Sequence, residues 1–261
     1  MVLEKILELP LLIGLLITAS SVSLAGIIIV SISKKLIKNS ITKQHGRIGR
    51  LLFRVVAGLI ALLVSLSYAN EKIRQNKIVD SMEEEASMII NLSMRLKHFE
   101  GEEAADAYKK IVNYVELTIS DDWENVDDNP FFSRITQSLI EANYIILQIP
   151  VTNDIEKFEK EMILNDLNEL IKLTQIRAYS HHVTTPYLIY ILLFGLTFMW
   201  IFFAVYEINV ISLSFLTLYN ILIAVLIFFV FSFGNPFIGP LKIKPHSLII
   251  VKTKGFDQYQ K

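Results

Sequence analysis

Cysteine is absent from the 261 residues. Its absence excludes a disulfide scaffold, a thiol redox enzyme and a cysteine-ligated zinc or iron–sulfur centre. No excess of positive charge is present either: 25 Lys and Arg stand against 26 Asp and Glu, which argues against a basic nucleic-acid binder. Catalytic signatures are missing too, with no GxxxxGK[ST], GxSxG, GxGxxG or HExxH in the chain. Neither an enzyme nor a bound cofactor is expected. Glycine and proline are sparse, at 10 and 7, and neither occurs between Leu59 and Glu100. What the chain has in quantity is apolar side chains. They make up 52% of the residues, and the mean hydropathy of +0.46 is too high for an ordinary soluble protein.

The apolar residues collect in four blocks. A helix that crosses a bilayer needs roughly 20 mostly apolar residues, because the hydrocarbon core is about 30 Å thick. Leu9 to Val30 has no charge in 22 residues, and Leu51 to Ala69 has only Arg54, near one end, where its long side chain can snorkel. Tyr187 to Tyr206 and Val210 to Phe233 are the third and fourth blocks, joined so closely that they form a helical hairpin. The first block is too long, and Glu4, Lys5 and Glu8 too mixed in charge, for a cleavable signal peptide. The expectation is an all-α, four-span transmembrane protein with a helical bundle inserted between spans two and three. The parts are 1–69 for spans one and two, 70–185 for the bundle, 186–233 for the hairpin and 234–261 for the tail.

Small residues mark the first two spans. Thr18, Ala19, Ser20, Ser21, Ser23, Ala25 and Gly26 lie close together in span one, and Ala57, Ala61 and Ser65 recur every fourth residue in span two. Such faces let helix backbones approach closely where lipid removes the hydrophobic drive. Two readings stay open: packing within one chain, or spans one and two around the axis of an oligomer, with three and four outside.

Charge separates the domains. Residues 70–185 hold 12 Lys and Arg against 22 Asp and Glu, net −10. With no breaker before Gly101, span two is expected to run on as one long helix, with Ile78, Met82, Ile89, Leu92, Leu96 and Phe99 as a coiled-coil-like stripe interrupted only by Glu85. A second helix spans Glu102 to Ile119. A third starts at Asn129–Pro130 and runs to about Ile149, and Asp154 caps a fourth carrying Ile155, Phe158, Met162, Leu167, Leu170 and Thr174. The run Glu83-Glu84-Glu85 reads as a solvated face. The adjacent His181 and His182 point to different sides of a helix, and Asp121, Asp122, Asp127 and Asp128 lack the ligand spacing of a calcium loop. No metal is expected.

After the last block comes Phe233-Gly234-Asn235-Pro236-Phe237-Ile238-Gly239-Pro240, followed by a Lys- and Val-containing stretch. With Asp122-Trp123, with Arg177 ahead of the Pro186 that opens span three, and with Gly195 inside that span, this run resembles the bestrophin-like domain family over about residues 50–250. That family is named for a distant likeness to bestrophin ion channels. The resemblance implies a homo-oligomer, a pentamer by analogy, that conducts inorganic ions across a lipid bilayer, here a bacterial inner membrane. Asn235, Pro236, Phe237, Gly239, Arg177 and Pro186 are the family-motif residues. Ala57, Ala61, Ser65, Tyr68, Asn70 and Glu71 are the pore-lining candidates, although the depth of Tyr68 favours an aromatic anchor at the headgroups. Animal bestrophins follow their Asn-Pro-Phe-Gly with an acidic cluster that binds calcium. Here Ile238 interrupts the run and Pro240-Leu-Lys-Ile-Lys follows, so the calcium site does not carry over. The acidic bundle would concentrate cations, so anion selectivity does not follow from the resemblance. The rival function is a non-conducting scaffold or stress sensor that binds a partner through its bundle. Orientation is doubly assigned. The acid-free loop Ser31 to Arg50 is cytoplasmic by the positive-inside rule, whereas bestrophins keep the region between spans two and three in the cytosol.

Overall fold

The computed structural model describes residues 2–37, 43–120, 134–180 and 186–256. Nine α-helices occur among them: α1 (Val2–Leu7), α2 (Leu11–Ile37), α3 (Lys43–Leu96), α4 (Glu102–Ser120), α5 (Arg134–Gln148), α6 (Asp154–Ser180), α7 (Pro186–Phe203), α8 (Val210–Gly234) and α9 (His246–Ile250). A π-helical turn, Val251–Gly255, follows α9, and no strand occurs among the described residues. The single long α3 is what the Gly- and Pro-free stretch from Leu59 to Glu100 dictates. The expected acidic turn at 121–128, the Asn129–Pro130 helix start and the His181–His182 pair lie outside the described residues.

Three helices, α2, α3 and α8, are long and apolar enough to cross a membrane. The fourth expected span is shorter than the sequence suggests. Its helix stops at Phe203, and Val205 and Tyr206 donate to Phe202 and Phe203 carbonyls three residues back, so the last residues tighten into a turn. Asn209 then caps α8. Its side chain accepts from the Ser212 N–H at 2.7 Å, and its own N–H donates to the Ser212 hydroxyl at 2.9 Å.

The chain divides into two compact units, Met1–Gln75 with Thr184–Lys242, and Asn76–Val183 with Ile243–Lys261. The first contains the apolar helices. Its core joins Val30 of α2, Ile60 and Val64 of α3, Leu196, Met199, Trp200 and Phe203 of α7, and Leu216, Ile223 and Val230 of α8. Small residues make these contacts close. A methyl added at Gly26 would come within 2.5 Å of the Asn220 amide nitrogen and 2.9 Å of the Trp200 indole nitrogen; one at Gly195 would meet Ile60 at 3.2 Å. Trp200 Nε1 donates to Asn220 Oδ1 at 3.0 Å, a buried polar tie between α7 and α8. At one end of the unit, Lys34 Nζ donates to the Tyr206 carbonyl at 2.6 Å, and Phe53, Phe203 and Tyr206 stack within 5.6 Å of one another. The short α1, not anticipated from sequence, precedes Pro10. The Pro10 carbonyl accepts from Ile13 and Gly14 as α2 begins.

The second unit is a helical bundle. The stripe is buried as expected, from Ile78 on α3 to Phe99 just beyond its end. α4 packs on α5, and α5 on α6. Asn113 donates to the Ser138 hydroxyl, and that hydroxyl donates to the Lys110 carbonyl at 2.9 Å. Arg95 of α3 pairs with Asp166 of α6 at 3.2 Å. The cap of α6 is Asn153, one residue before the expected Asp154: its side chain accepts from the Glu156 N–H, and Glu156 reaches back to the Thr152 N–H and hydroxyl. Those bonds, the Thr152 N–H first, hold the Glu156 carboxyl below its ordinary pKa. α6 carries two apolar sets rather than one. Leu167, Leu170 and Thr174 face the core, while Ile155 and Phe158 are exposed.

Candidate functional site

Two constellations gather the residues that the sequence singles out. The first, in the apolar-helix unit, lies where the apolar part of α3 ends and α8 turns into its tail. Pro236 cannot extend the α8 hydrogen-bond ladder and disfavours helix at Asn235, so the helix stops at Gly234. The Asn235 side chain donates back to the Phe231 carbonyl at 2.9 Å, and the Ile238 N–H closes a turn on the Asn235 carbonyl. Gly239 completes it with φ +88, a left-handed conformation in which a methyl would lie 2.7 Å from the Leu7 carbonyl. Phe237 and Leu7 are both buried, so the motif docks on α1.

α3 meets this turn along one side. Tyr68 packs edge-on against Phe233 with centroids 5.5 Å apart, and Lys72 Nζ sits 5.0 Å over the same ring. Lys72 also donates to Gln75 at 2.9 Å, and the Gln75 amide donates to the Leu241 carbonyl at 3.3 Å. Glu71 is buried, pairs with Arg74 at 3.1 Å, and lies 3.7 Å from where a Gly234 side chain would start. Two sets read separately in the sequence thus share one site: Tyr68 and Glu71 from the pore candidates, and Asn235 to Gly239 from the motif. Phe233, which opens the motif run, and Gln75, which the sequence reading did not name, complete it.

The remaining pore candidates fall on other faces of α3. Ile60, Val64, Ser67, Glu71 and Gln75 form its buried side. Ala57 is half-buried, and its carbonyl accepts from the Tyr219 hydroxyl at 3.2 Å. Ala61, Ser65 and Asn70 are exposed. Ala61 and Ser65 belong to a longer exposed stripe: Arg54, Gly58, Ala61, Ser65 and Ala69, spaced four, three, four and four. The bulky exposed residues Leu59, Leu62, Leu63 and Leu66 lie to one side of it.

The second constellation, in the bundle unit, corrects the reading of Glu83-Glu84-Glu85 as one solvated face. Glu85 is 1% exposed. The Tyr114 hydroxyl donates to its carboxylate in a short hydrogen bond. The Thr174 hydroxyl lies 2.7 Å from the same phenol oxygen, and the Arg177 guanidinium donates to it at 3.4 Å while lying 3.5 Å from Glu85. Burial first, then the negative charge of Glu85, pushes the Tyr114 pKa well above its ordinary value, so the phenol stays a donor. Arg177, one of the family-motif residues, is therefore a core residue that binds α6 to α3 and α4. Tyr114 is buried on α4 with Ile111, Val115 and Thr118, and no signal in the sequence singles it out as a partner of Glu85. Pro186 opens α7, as the motif requires. Asp122 and Trp123 lie outside the described residues. Among those residues no group of three or more His, Asp or Glu is arranged to hold a metal ion.

Among the described residues, helices able to cross a bilayer, a separate helical bundle and a proline-turned tail after the last apolar helix define a helical membrane protein. A family model, the Bestrophin-like domain, matches residues 21–248. The chain belongs to that family. No curated protein and no solved structure matches it.

Proposed function

We propose that the chain is one subunit of a homo-oligomeric ion channel in a bacterial plasma membrane. In this reading α7 is a fourth, short span, the bundle is a vestibule, and α3 lines the conducting path. No catalytic step is assigned. The observation that carries the proposal is the exposed stripe of α3. A helix face turned to lipid favours large apolar side chains, and a charged one costs roughly 2.5–3.5 kcal/mol at the bilayer centre. The face holding Arg54, Gly58, Ala61, Ser65 and Ala69 is small, polar and charged at one end, and no atom lies within 4 Å of a side chain built at Gly58. Such a surface suits water along an oligomer axis, with the flanking leucines turned to lipid or to a neighbouring subunit. Membership in a family named for its likeness to ion channels points the same way.

Tyr68 and Glu71 then act beside the path rather than in it. Their contacts with Phe233 and with the end of α8 hold α3 against α8 at the end of its apolar part.

Purified protein fused into planar bilayers should give single-channel currents. Ser65→Lys should shift the reversal potential in a salt gradient towards anions, because each subunit adds a cation to the path. An absence of current over a range of salts and voltages would favour the scaffold reading. Unaltered selectivity in a folded Ser65→Lys channel would remove this face of α3 from the path.

A further inference from the structure

The segment after the motif turn has no part in the proposed conduction path. From Ile208 to Phe256 the chain contains no Asp or Glu, yet Lys242, Lys244, His246, Lys252 and Lys254 gather in its last 15 residues. α9 and the π-helical turn that follows are two-sided. Leu248, Val251 and Phe256 are buried, Phe256 packs edge-on against Tyr108 with centroids 5.9 Å apart, and the Ser247 hydroxyl donates to the Met82 carbonyl at 3.3 Å. That side is committed to the bundle. The other side exposes Ile249 and Ile250, at 39% and 42%, among exposed Lys244, His246, Lys252, Thr253 and Lys254. Lys252 leans 3.2 Å from Glu116 and keeps about half of its side chain exposed.

Two adjacent isoleucines framed by three lysines make a poor surface for bulk water. They suit an anionic bilayer surface, where headgroups accept the ammonium groups and the branched side chains enter the boundary with the acyl chains. Connectivity favours the encounter. Eleven residues separate Gly234, the end of a helix able to cross a membrane, from His246, and an extended chain of that length reaches at most about 40 Å. We propose that the face formed by Lys244, Ile249, Ile250, Lys252 and Lys254 docks on anionic lipid headgroups. It makes the segment after the last membrane helix a sensor of lipid charge.

The test uses the full-length chain in nanodiscs of phosphatidylcholine alone or mixed with phosphatidylglycerol, read by hydrogen exchange in peptides covering 246–256. Exchange should slow roughly fivefold or more with phosphatidylglycerol, about one lysine's worth of headgroup attraction. The triple variant Lys244→Gln, Lys252→Gln, Lys254→Gln should lose that difference, with peptides from α4 and α5 reporting an intact bundle. Glu116→Gln should keep it, since it removes only the partner of Lys252. Exchange that ignores lipid charge, or a lipid effect that survives the triple variant, overturns the proposal. So does equal slowing by inorganic phosphate in phosphatidylcholine discs, which would make the site one for a free anion. Slowing that follows the number of chains per disc would instead give the face to a second copy. None of these readings measures current, so they stand or fall apart from the channel proposal.

Discussion

At the scale of residues, Glu85 and Arg177 illustrate what a buried charge demands. A carboxylate taken out of water needs its partners in place, because the desolvation cost of an unpaired buried ion exceeds what ordinary packing returns. Glu85 has the Tyr114 hydroxyl and the Arg177 guanidinium around it, and both it and Arg177 are buried. Arg177→Met should therefore destabilise the protein by roughly 3–5 kcal/mol, since it strands the Glu85 charge. Adding Glu85→Gln should recover part of that loss, because the amide needs no countercharge and still accepts from Tyr114. Thermal unfolding followed by helical circular dichroism in detergent measures both. A double variant no more stable than Arg177→Met would mean that packing, and not stranded charge, accounts for the loss. None of this was legible beforehand. In the sequence Glu85 is the third of three glutamates, and its partners come from helices far along the chain. The apolar period around it was legible, and it correctly placed the position on the buried side. The error lay in reading the charge as stronger evidence than the period.

The same tension holds for whole helices. The small residues of α2 had two readings open, and within the chain they make a close contact: Gly26 admits the Asn220 amide and the Trp200 indole, and Gly14 admits the Phe228 ring. Gly26→Ala should cost roughly 1–3 kcal/mol, because its methyl would overlap a buried, hydrogen-bonded pair. Gly58→Ala is the control. It meets nothing within 4 Å and sits in a helix, where alanine is favoured over glycine by about 1 kcal/mol. Thermal stability in detergent should fall for the first and hold or rise for the second; equal effects would deny the close α2–α8 contact. Long elements were easy to read because length and the lack of breakers decide them, as in α3. Their ends were not. α7 stops at Phe203 because its last turn tightens, and α6 is capped by Asn153 rather than Asp154 because Glu156 and Thr152 complete the cap. Both outcomes depend on hydrogen bonds that several residue choices would satisfy, so composition alone does not select between them.

For the molecule as a whole, the question is what covers the exposed stripe of α3. A single chain leaves Ala61 and Ser65 open while it buries Ile60, Val64 and Ser67 on the other side of the same turns. Small residues at this spacing serve either of two assemblies. In one, helices of neighbouring subunits touch backbone to backbone along the stripe, as small-residue faces do in lipid. In the other, the stripe faces an open axis and the subunits touch through flanking surfaces. Ala61→Leu separates them because the added volume acts differently in each. At a backbone contact it forces helices apart, at a typical overpacking cost of roughly 1–3 kcal/mol per subunit, and the oligomer should dissociate. Facing water, it narrows and dries the path without touching a neighbour, so light scattering after size exclusion should give the same mass while single-channel conductance falls. The channel reading with α3 on the axis expects the second result. Arg54 at one end of the stripe strengthens that expectation, because like charges repeated around a closed helix contact would repel, whereas around a water-filled mouth they are solvated and screened. Loss of the oligomer in Ala61→Leu would make the stripe an interface and move the conducting path, if the assembly has one, to another surface of the chain.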